Sequence, residues 1–337
     1  MSNILLASGY GLGNQILNTP LVGALHSLGH NIIVISEHIG VETLTGHPLI
    51  SAVIPWYPGN DNYDNQIIQY IDQKVKPEIG IACIPVHGTA PDKFLERCGG
   101  VMNYGKIENW SRHEADLSLD YARELGWHGD WIRSEIFIPD DIEAEVGEDV
   151  AKLDKARPIV GFHYGCINSW TWIYKKWHLE RFIEVAERLH NETGCYIYLG
   201  GGPSERDEGD QFKLSLPEHI QEYVIDTVGK LSLKHSAAWM RACNLFISND
   251  SGPMHMAAAL EVPLVAIFGM SSEIKNGPWV DPTKDLADVI TAPLWCRPCY
   301  GTDRHKMCER GDCLSEISVD MVYNQALDRL GAKDKGI

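Results

Sequence analysis

The chain has no apolar run long enough to span a bilayer, no low-complexity tract and no short internal repeat. The first absence argues against a transmembrane helix, and the last against a solenoid or propeller. Basic residues are also scarce. Lys and Arg number 29 against 46 Asp and Glu, for a formal net charge of −17. An extensive nucleic-acid footprint needs a basic face, so that class is disfavoured. Docking on an anionic membrane surface is disfavoured for the same reason, a local basic patch aside. Residues Met1 to Ala7 enter a short apolar run at once, without a basic region or a long hydrophobic stretch. The expectation is a cytoplasmic protein without a signal peptide. The nine cysteines then read as thiols or metal ligands rather than disulfides.

What is present is an ordinary globular composition, 44% hydrophobic and 22% charged over 337 residues. That length predicts two domains of about 150 residues each. Strand patterns alternate with helix patterns throughout, which predicts an α/β fold with mostly parallel sheets. In the first half, strands are expected at Ile4–Ala7, Ile32–Ile35, Ala52–Pro55 and Ile79–Ile84. Helices are expected over Gln15–Leu28, Asp64–Lys74 and His113–Leu125. Pro139–Pro158 is acidic and carries no strand pattern, so the boundary is placed there, giving domains 1–150 and 151–337. The pattern then restarts with strands at Pro158–Tyr164, Tyr196–Leu199, Leu245–Ser248 and Leu264–Phe268. Helices are expected at Leu179–Leu189, Leu233–Arg241 and, last, Val319–Leu330. A glycine turn after a strand in each half suggests two similar doubly wound domains facing a cleft. Ligands in such sheets bind outside the carboxyl ends of the strands.

The most informative segment is Ile247-Ser248-Asn249-Asp250-Ser251-Gly252-Pro253-Met254-His255-Met256-Ala257-Ala258-Ala259. It reads as strand, polar turn and alanine-rich helix. Such a turn collects backbone N–H groups and the positive end of a helix dipole, which suits a phosphate. Pro253 fits the start of a helix, Ser251 can cap it, Gly252 permits close approach, and His255 lies on the first turn. An ordinary capped turn is the plainer alternative, but so many polar residues on one turn favour a diphosphate site.

Other constellations are weaker alone. Gly9-Tyr10-Gly11-Leu12-Gly13-Asn14 is a glycine turn but not the dinucleotide fingerprint, and Glu37 lies near the end of the second strand. Lys175-Lys176-Trp177 offers a phosphate-neutralising lysine or a solvated pair. Trp170, Trp172, Tyr174 and Trp177 could stack on a base or sugar, or form core. Glu205, after Gly200-Gly201-Gly202-Pro203-Ser204, could accept from ribose hydroxyls or simply suit a helix first turn. Cys296-x2-Cys299-x8-Cys308-x4-Cys313 has the look of a structural zinc or iron site, with reduced thiols in an ordered loop as the alternative. The scattered histidines His26, His47, His87 and His235 read as structural.

Taken in order, these elements resemble glycosyltransferase family 9, the ADP-heptose:lipopolysaccharide heptosyltransferase group. The resemblance rests on Gly11-Leu12-Gly13-Asn14 with Thr19-Pro20, His47-Pro48-Leu49-Ile50, His113-Glu114, Lys175-Lys176-Trp177, Gly201-Gly202-Pro203-Ser204-Glu205 and Asn249 to Ala259 followed by Phe268-Gly269. A cysteine-rich segment before the last helix is also common there. The resemblance implies a GT-B fold: an N-terminal Rossmann-like acceptor domain, then a Rossmann-like donor domain carrying the Cys-rich segment 296–313 and a C-terminal helix. It implies inverting transfer from a nucleotide-diphosphate sugar, linked to ADP, UDP or GDP, with no cofactor in the chemistry. Asp250, Ser251, Gly252 and His255 match donor-holding positions. Thr171 and Lys175 match positions near the phosphates and sugar, and Glu205 matches the ribose-binding carboxylate. Gly11, Gly13 and Asn14 match the acceptor loop.

The chain departs from the family at Asn14, where the general base is an aspartate. An amide can orient a hydroxyl but is no base at neutral pH. Glu37, His38 and His163 are the candidate substitutes nearest predicted strand ends. The expected activity is transfer of heptose or another hexose or pentose to an acceptor hydroxyl of a glycan, a lipid-linked glycan or a protein. The alternatives are a non-catalytic nucleotide-sugar-binding or assembly protein, and a Rossmann NAD(P) oxidoreductase.

Overall fold

In a computed structural model of the chain, residues 2–8, 11–57, 61–83, 91–102, 111–166 and 175–333 are described. They divide into two compact units, Met1–Phe137 and Ile138–Ile337. The boundary thus falls at the leading edge of the acidic stretch rather than near residue 150. The reason is a helix at Asp140–Val150. Asp140, Asp141 and Glu143 in its first turn favour the positive helix end, and Glu143 pairs with Arg241 in the second unit.

The first unit is a five-stranded parallel sheet built from β1 (Asn3–Ala7), β2 (Asn31–Ser36), β3 (Ala52–Pro55), β4 (Ile79–Ala82) and β5 (Gly100–Met102), in the order β3-β2-β1-β4-β5. Its central strands β1 and β2 are short runs of aliphatic residues buried on both faces, as a helix-covered parallel sheet requires, while the edge strand β5 is largely exposed. The single helix expected over Gln15–Leu28 is instead two, Leu12–Leu17 and Thr19–Ser27, broken at Asn18 with Pro20 in the second start. Proline at a helix start forfeits no hydrogen bond, which explains the break. The polar helix runs Asp61–Tyr70 and continues as a π-helical turn, Ile71–Val75.

The second unit is a six-stranded parallel sheet. Its strands are β6 (Ile159–His163), β7 (Tyr196–Leu199), β8 (Val224–Asp226), β9 (Leu245–Asn249), β10 (Leu264–Phe268) and β11 (Ala287–Thr291), ordered β11-β10-β9-β6-β7-β8. The chain winds one way from β6 to β8 and the other way from β9 to β11. Hence β6 and β9 are neighbours at the point where the order reverses, with Val160 opposite Leu245 and His163 opposite Ser248. Loops leaving two such strands diverge to opposite faces and leave a crevice at their carboxyl ends. The helix Leu179–Thr193 packs Phe182, Val185, Ala186 and Leu189 onto this sheet. The last helix, Val319–Lys333, buries Val322, Ala326 and Leu330 at four-residue intervals, and Arg329 pairs with Asp285 and Asp288. Among the described residues no helix is long and apolar enough to cross a membrane.

Phe162 is fully buried at the middle of this core and its ring lies 5.8 Å from that of Phe212. Phe162→Ala is expected to cost about 3–5 kcal/mol, read from the urea midpoint at constant slope.

Candidate functional site

The polar residues of the second unit gather where β6 and β9 end. β9 is buried throughout, so its last residue, Asn249, carries its amide into the interior. Asn249 Oδ1 accepts from the Trp177 N–H at 3.0 Å, and Nδ2 donates to the carbonyls of Tyr164 at 2.8 Å and Gly165 at 3.3 Å. One side chain thereby fastens the end of β9 to the segment leaving β6 and to the residue after Lys176. In the sequence Asn249 stands out only as part of the Asn249 to Ala259 motif. Its burial at a strand end is the signal that it must find several partners.

The next residue, Asp250, is buried and takes Lys175 Nζ at 2.6 Å. Ser271 Oγ, at the end of β10, also donates to Asp250. Burial alone would lower the Lys175 pKa, but the adjacent Asp250 carboxylate outweighs it and holds the ammonium above the usual lysine range. The Lys175 ammonium also lies 5.6 Å from the Tyr300 ring centroid. Its neighbour Lys176 turns to Glu208 instead. The expected basic pair therefore splits, with Lys175 at the site and Lys176 beside it. Trp177 is core: it is fully buried and donates Nε1–H to the Ile317 carbonyl at 3.0 Å. Thr171, Trp170, Trp172 and Tyr174 lie outside the described residues.

Ser251 precedes the helix Gly252–Ala259 with extended backbone angles, but its side chain does not cap that helix. Its Oγ lies 3.1 Å from His163 Nδ1 and 3.3 Å from Ser248 Oγ. On the far side of the same ring, His163 Nε2 lies 3.1 Å from Glu205 Oε1. Glu205 Oε2 accepts from the Gly202 N–H at 2.7 Å. Burial would raise the Glu205 pKa, but the His163 charge and hydrogen bond and the Gly202 N–H prevail and hold it below the usual carboxylate range. Gly165 makes room for this carboxylate, because a Cβ there would fall 1.3 Å from Oε1. Gly252 opens the helix, Pro253 follows within its first turn, and His255 is buried on that turn.

The cysteine segment forms one wall. The N–H groups of Cys299 and Tyr300 both bond the Met270 carbonyl just beyond β10, at 2.9 and 3.1 Å. Arg297 donates to the carbonyls of Gly269, Ala292 and Ser271. Cys299 and Cys313 are buried, and Cys296 and Cys308 are half-buried. Burial first, and neighbouring thiols second, push Cys313 up to about 11. All nine cysteines are free thiols. Yet among the described residues no three His, Cys, Asp or Glu side chains converge closely enough to hold an ion. The zinc or iron site expected from the spacing is thus not shown by the side-chain placement. Short helices at Asp303–Lys306 and Asp312–Ser315 take up the spacers, and Cys299 and Cys313 serve as small apolar residues in the core.

In the first unit, the glycine turn after β1 has Gly11 at φ +81°, and Gly13 and Asn14 fall within the helix Leu12–Leu17. Beneath it lie the buried polar residues Ser8, Gln15 and Asn18, with Ser8 Oγ bonded to Gln15 and accepting from Asn18. Glu37 precedes the helix His38–Leu44 at the end of β2, the strand beside β1. His38 is largely exposed and 3.6 Å from Glu42.

A family model for glycosyltransferase family 9 (heptosyltransferase) matches residues 139–308, half of the chain. The lipopolysaccharide heptosyltransferase 2 of Escherichia coli K12 is 32% identical over 180 residues, 53% of this chain and 48% of that protein. The chain thus spans about half the length, or less, of the curated relatives it matches. A glycosyl transferase family 9 structure from Veillonella parvula superposes with a TM-score of 0.84 at 23% identity, covering 98% of both chains. The E. coli ADP-heptose lps heptosyltransferase II gives 0.76 at 19% identity, covering 98% of this chain and 99% of that one. These likenesses support the expected GT-B architecture of two Rossmann-like units.

Two outcomes follow from the geometry. With its folded pKa lowered, Glu205 contributes stability above the ordinary glutamate range that is lost as pH falls through the folded value. Glu205→Gln should therefore lose less stability than the parent between about pH 6 and pH 3, read from urea midpoints. Elemental analysis of purified protein decides the metal reading: about one zinc or iron per chain would support it, and far less would sink it.

Proposed function

The chain belongs to glycosyltransferase family 9, and from that premise we propose that it transfers heptose from ADP-heptose to a hydroxyl of a lipopolysaccharide-type glycan. The supporting observation is the convergence of Lys175, Asp250, Ser251, His163 and Glu205 on the end of β9 and the helix Gly252–Ala259. The diphosphate of the donor lies against that helix start, where backbone N–H groups and the dipole favour anions. Gly252 allows the approach. Asp250 and Ser271 hold Lys175 in place before the ligand arrives. Lys175 and His255 carry charge and hydrogen-bonding capacity to the phosphates, Thr171 lies near the sugar, and Glu205 accepts from the ribose hydroxyls.

The acceptor oxygen attacks the anomeric carbon as its bond to the diphosphate oxygen breaks. The configuration inverts and the nucleoside diphosphate leaves with the electron pair. Negative charge grows on that leaving group, so the helix end and Lys175 stabilise the transition state more than the ground state. Gly11 and Gly13 shape the acceptor loop. Asn14 orients the acceptor hydroxyl but cannot take its proton. His163 already engages both ring nitrogens within the donor site, and His38 is exposed. Glu37, at the same sheet edge as the Asn14 turn, is assigned the proton. We place the reaction in the cytoplasm, in keeping with nine free thiols.

Asn14 also favours a second reading, in which the protein binds a nucleotide sugar without turning it over. Thermal shifts with ADP, UDP, GDP and NAD identify the ligand class, since a ligand at a hundred times its Kd stabilises by about 2.7 kcal/mol. ADP should raise Tm and NAD should not. Lys175→Ala and His255→Ala should each weaken ADP binding roughly ten- to a hundredfold with the fold intact. Glu37→Gln should lower kcat by roughly a hundredfold or more while leaving ADP affinity alone. Donor binding without transfer, unaltered by Asn14→Asp, would favour the binding protein.

A further inference from the structure

We infer that His163 is a positioning residue of the donor site, one imidazole that ties Glu205 to Ser251 so that both are placed together. The inference rests on the donor-site reading above, which gives Glu205 to the ribose and the Ser251 turn to the diphosphate. It concerns a residue that neither role explains.

His163 ends β6, and its side chain is 6% exposed. Each ring nitrogen has a partner at 3.1 Å, Ser251 Oγ on Nδ1 and Glu205 Oε1 on Nε2. An ionised carboxylate can only accept, so Nε2 carries a proton toward Glu205. Nδ1 faces the Ser251 hydroxyl, which donates to that nitrogen when it is bare and accepts from it when both ring nitrogens are protonated. The rigid ring therefore sets the separation of two groups that come from different loops.

The remaining contacts make the link specific. The Gly202 N–H holds the second carboxylate oxygen, and Gly165 leaves space for the first. Glu205 thus has one seat. Ser251 stands where a serine ordinarily caps a helix, yet its hydroxyl is not a cap. Pro253 has no N–H, and the Met254 N–H that a capping serine would take bonds the Ser251 carbonyl at 3.1 Å instead. By engaging Ser251 from the other side, His163 keeps its hydroxyl off the helix end that the diphosphate needs. Without the ring, Ser251 keeps only the contact with Ser248 Oγ and Glu205 loses its fixed counterpart.

Calorimetric titration of ADP into the full chain tests this. Four proteins are compared: the parent, Glu205→Gln, Ser251→Ala and the double variant. The same four are then made with His163→Ala. His163→Ala should weaken ADP binding roughly tenfold. With His163 present, the Glu205 and Ser251 substitutions should depart from additivity by roughly fivefold, and without it by less than about twofold. His163→Gln reaches Glu205 but not Ser251, so it should also abolish the coupling, and it serves should the alanine variant fail to fold. Unchanged affinity in the His163 variants, or additivity in both backgrounds, overturns the inference. A folded parent that binds none of ADP, UDP and GDP overturns the donor-site reading instead.

Discussion

The Asn249 amide is the contact on which the arrangement of the second unit's polar residues depends. It bonds the Trp177 N–H and the carbonyls of Tyr164 and Gly165. Lys175 lies two residues before the first of these. His163 lies one residue before the second, and Asp250 follows Asn249 directly. Three net hydrogen bonds are worth only about 1 kcal/mol each, but a buried donor and two carbonyls left without partners would cost about 1–3 kcal/mol apiece. An alternative course for the β6 loop that broke these bonds would therefore be strongly disfavoured. The amide is well suited to the task because it donates and accepts at once. An aspartate there could hold the Trp177 N–H but would face two carbonyls with a negative charge.

From that brace outward, the site neutralises its own charges. Asp250 would repel a diphosphate if it stood alone. Paired with Lys175 and bonded by Ser271, it becomes the support that aims an ammonium. Glu205 would likewise be costly to bury, and it is satisfied by His163 and by its own turn. The net result is a group of fixed donors beside a helix N-terminus, inside a protein of net charge −17. On the donor-site proposal, local arrangement rather than overall charge is what would receive an anion here.

Much of this was legible in the residues, and the exceptions have physical causes. The strands Ala52–Pro55, Tyr196–Leu199 and Leu264–Phe268 fall where expected, because aliphatic runs between turn residues have few other ways to be buried. The helix Asp140–Val150 was missed because Val146 alone among its residues is buried, so its apolar periodicity is faint. The turn residues Lys175, Glu205, Asp250 and Ser251 were identifiable from their placement after strands. Their pairings were not, since Ser251 with His163 is a contact across 88 positions. The capping role expected of Ser251 followed from local statistics, and a tertiary partner overrode it. The cysteine spacing suggested a metal because spacing alone does not distinguish ligands converging on an ion from thiols packed into a core. The contacts of Cys299 and Cys313 do.

The substitution at position 14 bears on the proton transfer proposed for the first unit. In the first unit, the buried polar residues Ser8, Gln15 and Asn18 lie beside the turn, Gln15 and Asn18 each bonded to Ser8 Oγ. That support fixes where residue 14 sits whatever its side chain, so replacing a carboxylate by an amide changes protonation chemistry with little change of shape. Such a site keeps its hydroxyl-orienting capacity and loses its base. The second unit does not supply the loss through His163, whose two nitrogens are committed to Ser251 and Glu205. On the proposal above, the proton acceptor is another carboxylate at the first sheet's carboxyl edge. Glu37, directly after β2 and ahead of its own helix, meets that requirement by position.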